Sequence, residues 1–163
     1  MSKEVLLSIK PYWCEKIANN KKIVEIRKTK PKLNTPFKCY VYCTKEKING
    51  ELILVKSDAT ANTLKIGKET IVGVNKGVKA KEDISLSGMV IAEFMCNDII
   101  SLENLNADEL ETVAMNACLN INDILRYGGK FGWCISDLTI YKNPKVLSEL
   151  GLGKAPQSWC YIE

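Results

Sequence analysis

Asn20-Lys21-Lys22-Ile23-Val24-Glu25-Ile26-Arg27 is the stretch on which the reading of this chain turns. Val24 and Ile26 alternate there with Glu25 and Arg27, so a strand through these residues buries one pair and aims the other outward. The expected result is a charged face on a strand pinned by its apolar side. Only two of the 23 basic residues are arginines, Arg27 and Arg126, which sets Arg27 apart from scattered surface charge. The plainer reading is a solvated Glu/Arg pair on an exposed strand, an arrangement that contributes little.

Working outward, Val5 to Lys10 alternates Val5, Leu7 and Ile9 with Leu6, Ser8 and Lys10, a short strand whose last outward positions are Ser8 and Lys10. Pro11 suits the first residue of a helix, in which Trp13, Cys14, Ile17 and Ala18 form an apolar stripe with Trp13 read as core. Asn19-Asn20 ends that helix, because asparagine tolerates the left-handed position beyond a helix terminus. With the strands on either side as sheet neighbours, the usual relation of sequential strands, Lys10 comes within reach of Lys22, Glu25 and Arg27.

Further along, Lys28 to Pro36 reads as a loop and Phe37 to Cys43 as a strand. Residues 44–88 are the least compact part, with strands expected at Glu51 to Lys56 and Thr70 to Val74 between lysine-bearing turns. They read as a hairpin-like insertion lying over or beside the body of one domain, a mobile loop being the alternative. Met89 to Cys96 is a strand in which Glu93 is the lone carboxylate, placed either against a basic group in a cleft or at a polar edge. Asn106 with Glu109 has the form of a capping box opening a helix that buries Leu110, Val113, Ala114, Ala117 and Cys118. Asn120 opens a second helix, to Tyr127, closed by Gly128-Gly129. From Phe131 to Tyr141 the apolar phase shifts between Trp133/Ile135 and Leu138/Ile140, which predicts a bulge at Ser136-Asp137 that re-aims side chains beside a site. Pro156 to Ile162 reads as a closing strand carrying Trp159.

The 163 residues suffice for one domain with its own core. No apolar run approaches the roughly 18 residues of a membrane span, and the first residues lack the apolar core of a signal peptide, so a cytoplasmic protein is expected. Seven cysteines, none spaced as C-x-x-C, and no histidine argue against a disulfide framework and mixed Cys/His zinc sites. Cys39 and Cys43 share a strand face but sit about 13 Å apart at the strand rise. No metal or cofactor is expected. Without histidine, Ser-His and Cys-His nucleophile schemes are closed, leaving Lys, Glu, Asp, Tyr or Cys for any catalysis. Charge is segregated: residues 16–47 hold ten basic side chains against Glu25 and Glu46, whereas from Glu82 onward five face twelve acids. Such a distribution suits a polyanion or a nucleotide phosphate.

These residues resemble the ASCH-domain signature G-x-K-x-x-E-x-R, with Lys22, Glu25 and Arg27 on the matching positions and Asn20 in place of the glycine. Leu7-Ser8-Ile9-Lys10-Pro11 and Gly132-Trp133-Cys134-Ile135-Ser136-Asp137-Leu138, with Pro144 beyond, resemble the longer ASCH-like proteins of phages and prophages. The resemblance implies an α+β, PUA-like fold: a small, bent, mixed β-barrel with flanking short helices, here with a β-rich insertion. It also implies an RNA or nucleotide-like ligand in a basic cleft, as a phage or prophage regulator would use. The residues expected to line that cleft are Ser8, Lys10, Lys22, Glu25, Arg27, Glu93, Trp133, Ser136 and Asp137. Basic groups there would neutralise phosphate and Trp or Tyr would stack on a base. Arg27 would bond a phosphate or base edge, and Glu25 would accept from an exocyclic amine or orient Arg27. One bacterial branch of the family hydrolyses the acyl amide of N4-acetylcytidine with a lysine, a threonine and a later glutamate. The lysine falls on Lys22, the threonine position holds Glu25, and Glu93, Glu109 and Glu111 are the candidates for the glutamate. An amidohydrolase using Lys22 is therefore the alternative, and a module for a host protein partner the third.

Overall fold

The computed structural model describes residues 2–45, 52–55, 62–66, 69–73 and 84–163. Strand β1 (Glu4–Ile9) lies between an antiparallel and a parallel neighbour, β10 (Trp159–Ile162) and β3 (Phe37–Cys43). Its burial is nearly complete on both faces. Val5, Leu7 and Ile9 join Cys14, Ile17 and Ala18 of helix α1 (Pro11–Ala18), while Leu6 packs on the other side with Tyr40, Val90 and Ile162. Each fully buried Leu or Ile contributes about 1.5–3 kcal/mol, so this strand anchors the body.

The remaining strands of this six-stranded sheet are β2 (Val24–Arg27), β8 (Met89–Ser101) and β9 (Phe131–Lys145), in the order β10-β1-β3-β8-β9-β2. Strands β1 and β2 are therefore not neighbours, contrary to the sequence expectation. Three register shifts along β8 and β9 bend the two longest strands, and the sheet curls into a half-barrel that carries the free edge of β2 back towards β1. One shift is the predicted bulge. Glu93 pairs with Thr139 and Met95 with Ser136, two steps on one strand against three on the other, and Asp137 takes the left-handed φ of +49°.

Local signals set the helix ends. Pro11 opens α1, and Asn20 at φ +57° turns the chain out of it. Helix α2 (Ala107–Asn116) starts on a reciprocal box in which Glu109 N–H donates to Asn106 Oδ1 at 2.8 Å and Asn106 N–H to Glu109 Oε1 at 3.2 Å. Helix α3 (Ile121–Tyr127) repeats this with Asn120 and Asp123, and ends on Gly128 at φ +74°. Together they cover β2, through Val113, Ala114, Ala117 and Ile124 on Val24 and Ile26. Gly129 permits that approach, since a Cβ there would overlap Ile26 Cγ2.

A second, antiparallel sheet is formed by β4 (Leu52–Val55), β5 (Asn62–Ile66), β6 (Glu69–Gly73) and β7 (Ile84–Ser85), in the order β6-β5-β4-β7. Two of these strands, β4 and β6, coincide with the expected ones, and β5 and β7 are additional. Glu51, Lys56 and Val74, which the sequence reading included, lie outside the described residues. Among the described residues, no helix is long and apolar enough to cross a membrane.

Candidate functional site

All four residues of β2 are buried, so Glu25 and Arg27 do not face solvent as the alternation predicted. Their face of the strand is turned into the seam left by the curled sheet. A cavity of about 440 Å³ opens there, lined by Ser8, Ile9 and Lys10 of β1 and its end, Trp13 of α1, Lys22, Glu25, Ile26 and Arg27, Thr44, Gln157, and the α3 side of Leu119, Asp123 and Tyr127.

Arg27 spans the seam. Nε and Nη2 each lie 3.1 Å from Glu25 Oε1, Nη2 donates to Ser8 O at 2.9 Å, and Nη1 donates to Ser158 O at 3.3 Å and Oγ at 3.1 Å. A guanidinium carries five N–H donors; four hydrogen bonds draw on them here, and Nη2 in addition lies at ion-pair distance from Glu25. Ser8 is tied in by its N–H to Ser158 O at 2.9 Å and its Oγ to Pro156 O at 2.6 Å. The half-barrel is thus closed at this point by one side chain rather than by a strand ladder.

Lys22 is equally committed. Its side chain is 2% exposed, with Nζ donating to Ala117 O at 2.7 Å, 4.8 Å from the centre of the Trp13 ring and 3.4 Å from Glu25 Oε2. Ala117 closes α2, so the ammonium sits at the negative end of that helix. The contact to Oε2 brings the charges together without the geometry of a hydrogen bond, and Glu25 Oε2 has no hydrogen-bond partner. The triad therefore holds two cations and one carboxylate, an excess of one positive charge. Adding Lys10 and Asp123 at the rim leaves that excess unchanged.

Of the expected site residues, Ser8, Lys10, Lys22, Glu25 and Arg27 meet at the cavity; Glu93, Trp133, Ser136 and Asp137 do not. Glu93 accepts from Tyr141 OH at 2.8 Å, a neutral partner, so of its two expected placements the one against a basic group in the cleft does not occur. Trp133 is fully buried, stacked edge-on between Phe37 and Trp159, with Nε1 donating to Thr29 O at 3.3 Å. Ser136 Oγ donates to Met95 O at 2.8 Å and, with Asp137, shapes the bulge. Glu109 is spent on its capping box. Trp13 is the converse case: read as core, it is half-buried and forms a cavity wall. Tyr127, Asp123, Thr44, Gln157 and the Arg27 partner Ser158 were missed. A tyrosine on the last turn of a helix was the one available hint; the others are placed only by the closing of the sheet.

Burial, and then the neighbouring Cys43, push the Cys14 thiol well above its ordinary value, so the thiol that feels Glu25 and Arg27 stays protonated at neutral pH. Among the described residues, no group of three or more cysteines and carboxylates is placed to hold a metal ion.

The whole arrangement superposes on a solved structure of ASCH from Zymomonas mobilis, over 98% of this chain and 87% of that one, with a TM-score of 0.61 and 15% sequence identity. The chain has the ASCH fold. Two mutant forms of the Zymomonas mobilis protein match equally well, at TM-score 0.60 and 15–16% identity, one of them over 99% of this chain and 91% of that one. No family model and no curated protein matches the sequence. This ASCH fold is the mixed, curled, PUA-like half-barrel that the resemblance implied, and its signature residues are the ones gathered in the seam.

Proposed function

We propose that this ASCH-fold protein binds RNA or a nucleotide-like ligand by holding a base in the seam cavity. The observation that carries the reading is Glu25 Oε2, a buried acceptor that takes no hydrogen bond and is met only by the Lys22 charge at 3.4 Å, in the wall of a cavity flanked by Trp13 and Tyr127. Arg27 is held by four hydrogen bonds to Glu25, Ser8 and Ser158, so it acts chiefly by orienting Glu25, whose Oε2 accepts no hydrogen bond. A carboxylate acceptor beside aromatic walls suits a flat ring bearing an amine, as cytosine, adenine and guanine do. The excess positive charge suits the phosphate attached to such a base. A hydrogen bond to a charged acceptor is worth about 1.5–3 kcal/mol, about tenfold or more in affinity. Calorimetry with nucleoside monophosphates is the test: the amino-bearing bases bind at least about tenfold tighter than uridine, and Glu25→Gln removes that preference. Equal binding of all four, or none, rejects the reading.

An amidohydrolase is the second reading, supported by the 3.4 Å approach of Lys22 Nζ to Glu25, a proton donor and acceptor in one cavity. Against it stands the bond that commits Nζ to Ala117 O. Release of acetate from N4-acetylcytidine, abolished by Lys22→Ala, would transfer the assignment to this activity.

A further inference from the structure

Immediately beyond Arg27 the chain runs along β10, where Trp159 Nε1 donates to Thr29 Oγ1 at 2.9 Å and Lys32 N–H donates to Tyr161 Oη at 2.7 Å. The segment these bonds hold presents Lys28, just before the first of them, Lys30 and Lys32 at alternate positions, all exposed. Pro31 holds Lys30 to extended backbone. Two of the three ammonium groups, and that of Lys3 beside them, rest over rings: Lys28 at 5.0 Å from the centre of Tyr127, Lys30 at 5.4 Å from Phe131, Lys3 at 5.2 Å from Tyr161. Among the described residues, none of these four lysines has a carboxylate at ion-pair distance, whereas Lys16, Lys22 and Lys38 all do. Lys28 and its ring partner Tyr127 stand where the strip begins, and Tyr127 also lines the cavity.

From this arrangement we infer that residues 28–32, with Lys3, form a track for consecutive phosphodiesters of an extended single strand whose end enters the cavity. Alternate Cα atoms lie at most about 7 Å apart, the scale of one nucleotide step on a stretched strand. Rings beneath the ammonium groups restrain them without neutralising them, so their charge remains available to a polyanion. Continuity with an aromatic-walled cavity favours a nucleic acid over an acidic peptide, which has no base to place there. The inference rests on the nucleotide reading of the cavity and extends it from one unit to a chain.

The test compares a mononucleotide with oligoribonucleotides and oligodeoxyribonucleotides of about six units, using the full chain and a variant combining Lys28→Ala, Lys30→Ala and Lys32→Ala. The oligomers are expected to bind the wild type at least tenfold tighter than the mononucleotide. In the variant that advantage disappears, mononucleotide affinity is unchanged, and the melting temperature stays within a degree or two because the side chains are exposed. The salt slope of oligomer binding falls by about 2, at about 0.7 per phosphate contact on a single strand. Oligoribonucleotides and oligodeoxyribonucleotides of equal length are expected to gain the same advantage from the three lysines, since the track reads only phosphates; an advantage confined to one of the two overturns it. Equal affinity for mononucleotide and oligomer overturns the track and spares the cavity; so does polyglutamate binding as tightly as an oligomer of equal charge. Oligomers that bind through the three lysines while no mononucleotide binds uphold the track and overturn the cavity reading.

Discussion

Glu25 and Glu93 are carboxylates on two strands of one sheet; the sequence has Glu25 orienting Arg27 or accepting from a ligand amine, and Glu93 against a basic group in a cleft or at a polar edge. The fold treats them differently. Glu93 lies on the outer side, where Tyr141 OH donates to it at 2.8 Å, and nearby Tyr40 OH donates to Glu4 at 2.6 Å. Each acid there accepts from a neutral hydroxyl, Glu4 with the half-exposed Lys38 at 3.6 Å on its other oxygen. Glu25 lies between Arg27 and Lys22, takes both guanidinium contacts on Oε1, and its Oε2, 3.4 Å from Lys22 Nζ, accepts no hydrogen bond. A hydroxyl partner completes a structural element, whereas two cations around one carboxylate with an oxygen to spare leave bonding capacity for something else.

Removing each charge tests this contrast most severely. Glu25→Gln leaves Arg27 and Lys22 buried without a counter-charge and is expected to destabilise the fold by about 3–5 kcal/mol, read as a lower urea midpoint. Glu93→Gln keeps an acceptor for Tyr141 and is expected to cost about 1 kcal/mol or less. Similar losses from the two changes would dissolve the distinction.

Alkaline titration probes the hydroxyl pairs of Tyr40 and Tyr141. Burial, and then the bond to Glu4, raise the Tyr40 hydroxyl; burial and the bond to Glu93 raise that of Tyr141. Because the folded values lie above the ordinary value of 10.0, their contribution is complete below pH 10 and is lost as pH rises through the folded values. Burial also pushes the Cys96 thiol up, to about 12, adding to the same decline from pH 9 upward. Stability by urea unfolding should therefore fall between pH 9 and 11, and the Tyr40→Phe/Tyr141→Phe protein should flatten the part above pH 10. A flat wild-type profile would remove the hydroxyls from the account. The smallest effect is expected at the rim: Lys10→Ala, exposed and unbridged among the described residues, changes stability by less than about 0.5 kcal/mol while weakening nucleotide binding several-fold.

Much of the architecture was readable from local chemistry. Asn20, Asn106/Glu109, Asn120 and Gly128 mark helix ends because caps and left-handed turns are decided within a few residues. The break in apolar phase located the bulge at Ser136-Asp137. The site was half legible: alternation put Glu25 and Arg27 on one face, but could not tell that this face is covered. That depends on the curl of β8 and β9, which brings Ser8 and Ser158 against Arg27 from positions 19 residues before and 131 after it. The same curl carries Glu93 and Asp137 away from the seam and swings Trp13 and Tyr127 into it. Trp133 could not be separated from Trp13 by type or spacing, since each is a tryptophan in an apolar segment.

The seam held by Arg27 has a mechanical consequence. Strand ladders open cooperatively, losing a row of backbone bonds at once, and β2 keeps such a ladder with β9. Its other edge depends on the hold of one guanidinium on Ser8 and Ser158, so the half-barrel has a hinge side and a latch side. Releasing that latch widens the mouth while the β2–β9 register survives, and amide exchange should accordingly be faster at Ser8, whose N–H bonds Ser158 O at the end of the β1–β10 ladder beside the latch, than at the paired positions of β9.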